Sequence, residues 1–175
     1  MQQLNLLSYN IQAGIYTRHY GEYLTSSWKH LLPHRERLYN LNRIAPMLRD
    51  FDLVGLQEVD SGSLRSGFID QTEYLAFQAH FPFWYKQVNR NLGKLAQHSN
   101  GVLSRVRPSR ITDYKLPGLP GRGAVIVEFD TSDGATLAVC ILHLALGWRA
   151  RRRQIHYLTN LVTRYQYLVL MGDFN

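Results

Sequence analysis

Short apolar runs alternate along the chain with polar stretches and with segments of helical period. Residues 4–11 and 53–59 read as strands. Residues 83–88 and 101–103 read as two more, separated by a polar turn over 89–99 in a hairpin-like arrangement. A strand over 110–114 comes next, followed by a turn rich in proline and glycine at 117–121. Residues 124–129 and 136–142 flank Asp133-Gly134, a hairpin signal, and residues 167–171 form a last strand. Leu38, Leu41, Ile44 and Leu48 recur at helical spacing, and Pro46 inside that stripe is expected to kink or shorten the helix, because it removes the bond to the carbonyl of Asn42. A short helix is expected over 71–80. A longer one is expected over 148–165, with Ile155, Leu158, Leu161 and Tyr165 on one face. Between the first strand and the first helix, residues 12–32 carry no period. This is a loop of the length that shapes substrate sites, and its Tyr16, Tyr20, Tyr23 and Trp28 suit base stacking, lipid contact or plain packing. The pattern alone gives an α/β protein with a mixed sheet, and no repeat or linker divides residues 1–175, so one domain is expected.

Composition narrows the partners without choosing among them. Twenty Lys and Arg against thirteen Asp and Glu give a net charge of +7, which favours nucleic acid, phospholipid head groups or phosphorylated metabolites, or else serves solubility. No run is long and apolar enough to span a bilayer, and residues 1–4 carry no basic leader, so a cytoplasmic protein is expected. Cys140 is alone within an apolar run, which excludes an internal disulfide and predicts a buried thiol. Nothing in the sequence indicates an oligomeric state.

The strand ends carry the chemistry. Asn10, Glu58 and His143 stand at or near the ends of three strands, and Gly172-Asp173-Phe174-Asn175 follows a fourth. Alternation along an extended chain points Asp173 and Asn175 the same way. Ligands of open α/β sheets gather at the carboxyl ends of strands, so these four ends are candidates to converge. Carboxylate, amide and imidazole groups together suit phosphate and divalent-metal chemistry. Arg149, Arg151, Arg152 and Arg153 open the last helix as a basic cluster, either a grip on a polyanionic backbone or an exposed helix face.

Tyr9-Asn10-Ile11, Leu56-Gln57-Glu58-Val59, the run from Ser99 to Arg105, Arg122-Gly123-Ala124, His143-Leu144 and Gly172-Asp173-Phe174-Asn175 occur in the order of the motifs of the endonuclease/exonuclease/phosphatase family, which this chain resembles over nearly its whole length. The resemblance implies a four-layer α/β sandwich, two mixed β-sheets flanked by helices as in DNase I, and a divalent-metal-dependent, nuclease-like phosphodiesterase. It also implies a metal ion, Mg2+ or alternatively Mn2+, held by Glu58 with Asn10 close to it. His143 would protonate the leaving oxygen or bond a phosphoryl oxygen, Asp173 would orient or deprotonate the attacking water, and Asn175, Asn100 and Arg122 would contact phosphate. Nucleic acid is the leading substrate. Phosphorylated lipids and inositol phosphates are the rivals within the same superfamily, and a non-catalytic anion-binding module is the alternative outside it. Gln12 stands where the abasic-site endonucleases carry an aspartate, and His143 where they carry a tyrosine, which argues against that branch. Members continue past Gly-Asp-Phe-Asn to a Ser-Asp-His motif that no histidine here matches. The expectation is therefore a domain lacking its C-terminal part, poorly stable and nearly inactive by itself.

Overall fold

In the computed structural model, which describes residues 3–14, 35–91, 97–118 and 120–175, the chain runs through β1 (Leu6–Asn10), a 3-10 turn (Gln12–Gly14), α1 (Arg35–Leu48) and β2 (Leu53–Asp60). A second 3-10 turn (Leu64–Ser66) leads to α2 (Gln71–Gln78), β3 (Phe83–Asn91), β4 (Gln97–Ser104) and β5 (Arg110–Lys115). β6 (Gly123–Asp130), β7 (Thr136–His143), α3 (Trp148–Val162) and β8 (Tyr167–Asp173) complete it. The aromatic loop expected after β1 lies outside the described residues from position 15 onward.

Two four-stranded sheets form, ordered β1-β2-β4-β3 and β5-β6-β7-β8. In each, one pair is parallel and joined through a helix: β1 with β2 by way of α1, and β7 with β8 by way of α3. The remaining pairs are antiparallel. There are three cores among the described residues, two of them divided by side-chain alternation along β6. Val125, Val127 and Phe129 pack with Val139, Ile141, Met171, Leu53 and Val102 between the sheets. Ala124 and Ile126 turn the other way and join Cys140, Leu142, Leu158 and Val162 under α3. On the far side of the first sheet, Val54, Leu56 and Leu103 meet Leu41, Ala45 and Leu48 of α1 and Leu75 and Ala76 of α2. The result is the expected four-layer α/β sandwich. β2 is buried at every position but Glu58, and its first four residues, Leu53 to Leu56, carry no polar side chain, as suits a strand covered on both faces. At its centre a Cβ on Gly55 would lie 2.8 Å from the Met171 side chain and 2.9 Å from Ile141, so the sheets approach here as closely as a glycine allows.

Several details depart from the pattern reading. β3 and β4 extend through polar residues, pairing Arg90 with His98 and Asn91 with Gln97, because backbone ladder bonds need no apolar side chains. α1 continues past Pro46 but ends two residues later. α3 stops at Val162, and Ile155 is exposed. The buried stripe of α3 runs through Gln154 instead, whose amide accepts from the Ala145 N–H and donates to the Pro117 carbonyl. Arg105, at the end of the β4 motif, caps helix ends: its guanidinium donates to the carbonyls of Phe51, Arg49 and His80 at 3.0, 2.9 and 3.3 Å, beyond α1 and α2, and stacks 4.6 Å from the Phe81 ring. The buried Asp60 carboxylate closes the turn after β2, accepting from the N–H groups of Gly62 and Ser63 and the hydroxyls of Ser63 and Ser66. Cys140 is buried, and burial pushes its thiol up to about 12, which removes it from nucleophilic chemistry. Among the described residues no helix is long and apolar enough to cross a membrane.

Candidate active site

Each parallel pair delivers two polar side chains to the same end of the sandwich. β1 ends on Asn10, and Glu58 lies two residues before the end of β2. Across the sandwich, β7 ends on His143 and β8 on Asp173, which face each other in register. The two sets meet. Asn10 Nδ2 donates to Asp173 Oδ2 at 2.8 Å, spanning the two sheets. His143 Nε2 lies 3.7 Å from Asp173 Oδ2 and 3.8 Å from Glu58 Oε1. The two carboxylate oxygens are therefore closer together than the sum of those distances. The imidazole is almost wholly buried, whereas about a third of the Glu58 side chain is open to solvent.

Local backbone geometry aims these groups. Glu58 sits at a bulge where the β2–β4 register shifts between Leu56 and Val59, and its φ of 55° is left-handed, a conformation that costs an L-residue about 1–2 kcal/mol. The bulge turns a side chain of an otherwise buried strand outward. Because glycine tolerates this conformation, Glu58→Gly is expected to be more stable than Glu58→Ala by about 1 kcal/mol, the reverse of the usual order in strands. Urea titration of the two variants checks the sign. After β1 the chain again enters the left-handed region at Gln12 and Ala13, and Asn10 Oδ1 steadies the turn by accepting the Gln12 N–H at 3.0 Å.

Asp173 receives several stabilising contacts. Burial, the largest influence on its carboxyl, raises the pKa. The bond from Asn10, the Asn175 N–H at 3.0 Å, and the nearby His143 and Arg122 together outweigh it and hold the pKa below the ordinary carboxylate range.

Asn175 departs from simple alternation: its backbone is left-handed, and its amide Nδ2 donates to the Leu144 carbonyl at 2.6 Å. That leaves the second hydrogen of the same nitrogen for another acceptor. Arg151, read in the sequence only as part of a basic cluster, donates to the carbonyls of Leu146 and Asn175, so it ties the start of α3 to the segment carrying Asp173. Arg149, Arg152 and Arg153 are exposed. Asn100 lies opposite the bulge and is fully buried, its Nδ2 donating to Gln87 Oε1 and to the Gly123 carbonyl, each at 3.1 Å. Its Oδ1 has no hydrogen-bond partner among the described residues. Arg122, next to Gly123, places Nη1 3.3 Å from His143 Nδ1. The link from Gln87 through Asn100 to Gly123 was not foreseen. A buried amide inside a polar strand end was its only signal in the sequence.

Among the described residues no group of three or more acidic, histidine or cysteine side chains is disposed to hold a metal ion. The donor set nonetheless fits a hard cation. Glu58 and Asp173 bring carboxylate oxygens to one place beside His143, and magnesium takes one or two carboxylates while keeping several waters.

A family model described as "Endonuclease/Exonuclease/phosphatase family" matches residues 7–175. No curated protein sequence matches the chain. Among solved structures, an endonuclease/exonuclease/phosphatase from Beutenbergia cavernae superposes with a TM-score of 0.73 at 20% identity, over 98% of this chain and 47% of that one. The mannosyl-6-phosphatase Bt3783 of Bacteroides thetaiotaomicron does so with a TM-score of 0.63 at 18% identity, over 99% and 66%. The TDP2 of D. rerio, solved with a single-strand DNA product, gives 0.58 at 17% identity, over 79% and 54%. The chain thus spans from about half to just under two thirds of the length of these structures.

Proposed function

Because the chain belongs to the endonuclease/exonuclease/phosphatase family, we propose that the protein hydrolyses phosphodiester bonds with a divalent cation, nucleic acid being its substrate. One observation carries this reading. Asn10 and Glu58 from one sheet and His143 and Asp173 from the other meet within hydrogen-bond or ion-pair reach, although up to 163 positions separate them in the chain.

Glu58 and Asn10 would hold the cation, magnesium or manganese. When bound, such an ion supplies positive charge to the phosphoryl oxygens. Asp173, kept ionised by its neighbours, orients the attacking water and takes its proton. His143 offers a hydrogen bond from Nε2 to the phosphoryl or leaving oxygen. Arg122 and the remaining N–H of Asn175 would bond phosphate oxygens. Asn100, buried beneath them, supports the floor and reaches substrate only if its amide is released.

Substrate choice is supported by charge: the chain carries +7, and the exposed Arg149, Arg152 and Arg153 flank Arg151, which holds the Asp173 segment. A structure named as a mannosyl-6-phosphatase shares the fold, so a small phosphorylated substrate, a sugar or inositol phosphate, is the second reading. The test offers the full-length protein single-stranded and duplex DNA, RNA, sphingomyelin, an inositol phosphate and a sugar phosphate, each with Mg2+ and with chelator. Hydrolysis of the nucleic acids should appear with Mg2+, vanish with chelator and return on adding back the ion. Binding that survives chelation, with no product from any substrate, would make the protein a non-catalytic anion-binding module.

A further inference from the structure

Arg122 approaches the His143 ring from the side away from the carboxylates. Its Nη1 is 3.3 Å from Nδ1, while Nε2 faces Asp173 and Glu58 at 3.7 and 3.8 Å. A guanidinium has donors and no acceptor, so the Nδ1 it bonds must be the unprotonated nitrogen of the ring. The ring proton then sits on Nε2, on the side where the substrate oxygen would lie. We propose that Arg122 is a positioning residue for His143, holding the imidazole in the Nε2–H tautomer and in this orientation. The inference rests on the catalytic reading of His143 given above.

The arginine is itself held from behind. The next residue, Gly123, gives its carbonyl to Asn100 Nδ2 at 3.1 Å, and the Ala124 carbonyl accepts from Gln87 Nε2 at 3.0 Å. Asn100 also donates to Gln87, so two buried amides of the first sheet clasp the start of β6 in the second. The fit leaves no room: a Cβ at position 123 would lie 2.0 Å from Asn89 Oδ1 and 2.4 Å from Gln87 Oε1. Arg122 is anchored by its own backbone as well, its carbonyl accepting the Leu116 N–H at 3.2 Å. A chain fixed on both sides delivers the guanidinium to one place. That place is the imidazole edge that must stay unprotonated if Nε2 is to donate.

An arginine that only gripped the substrate anion would leave the ring indifferent to its removal. The two roles separate in long-range 1H–15N spectra of the histidine side chains, recorded on the full-length protein, its Arg122→Gln variant and its Arg122→Lys variant, alongside kinetics on a single-stranded oligonucleotide with Mg2+. The expected result is an Nε2–H pattern for His143 in the parent, mixed tautomers in Arg122→Gln, whose amide can either donate or accept, and restoration in Arg122→Lys, which presents donors only. The kcat of Arg122→Gln should fall on the order of 100-fold, the scale on which a misplaced catalytic group acts, with KM nearly unchanged. A tautomer shift without turnover in any protein would sustain the positioning role and sink the proposed hydrolysis. Either an Nδ1–H pattern in the parent, or an unchanged pattern in Arg122→Gln with only KM raised, would overturn the positioning role and leave Arg122 as an anion contact.

Discussion

Gly172→Ala is expected to destabilise the protein by about 4 kcal/mol, a large share of the roughly 5–15 kcal/mol that a domain commands. Gly172 has a φ of 142°, and a Cβ there would sit 2.0 Å from the carbonyl oxygen of Leu142 and 2.8 Å from its backbone nitrogen and carbon. Leu142 is its register partner on β7, and both Leu142 and its neighbour Ile141 are core residues. The atoms in the way are therefore backbone atoms of a central strand, which cannot swing aside as a side-chain tip can. Strain at a positive φ adds to the overlap. Denaturant midpoints for the parent and variant check the figure. A loss under 1 kcal/mol would mean that β7 and β8 do not approach as described. The glycine of Gly-Asp-Phe-Asn is thus a close-approach residue: only without a side chain can the strand run near enough to β7 to set Asp173 opposite His143.

Asp173→Asn is expected to lower turnover by about 10²- to 10⁴-fold, the range for removing a positioned general base, with the fold retained. The carboxylate accepts on both oxygens, from Asn10 Nδ2 at 2.8 Å and from the Asn175 N–H at 3.0 Å. An amide keeps one acceptor and turns a donor toward one of those two donors, so a modest loss of stability accompanies the loss of activity. That loss should depend on pH. The folded pKa of Asp173 lies below its unfolded value, so its ionised form stabilises the fold above about pH 4, and this contribution disappears as pH falls through the folded pKa. The stability gap between parent and Asp173→Asn should therefore be widest near neutrality and close on acidification. Urea titrations at several pH values, with steady-state rates on an oligonucleotide, test both parts. A variant that retains most of its turnover would remove Asp173 from the chemistry.

Much of this architecture was legible because burial is written in the side chains. The short apolar runs that became β2, β6 and β7 marked strands directly, and the strand ends that follow from them are where the polar groups converge. Positions decided by hydrogen bonding were not legible. Ile155 matches the helical stripe of α3 yet is exposed, because the amide of Gln154 finds two backbone partners and turns the helix on its axis. β3 and β4 run further than their apolar residues do, since main-chain pairing is blind to side-chain polarity. At the site, Asn10, Glu58, His143 and Asp173 were readable as ends of strands. The left-handed backbone of Glu58, the burial of Asn100 and the contact of Arg122 with His143 depend on cross-sheet neighbours that no local pattern records.

The narrow seam at Gly55 has a bearing on the chemistry that its depth conceals. Glu58 rides on the same strand three residues later, and Met171 and Ile141, which press on Gly55, lie two residues before Asp173 and His143 respectively. The core at this level acts as a gauge block between the two halves of the site. Its thickness sets the span from Glu58 to the imidazole, so even one added methyl group in the deepest part of the protein would be read out at the surface as a longer reach.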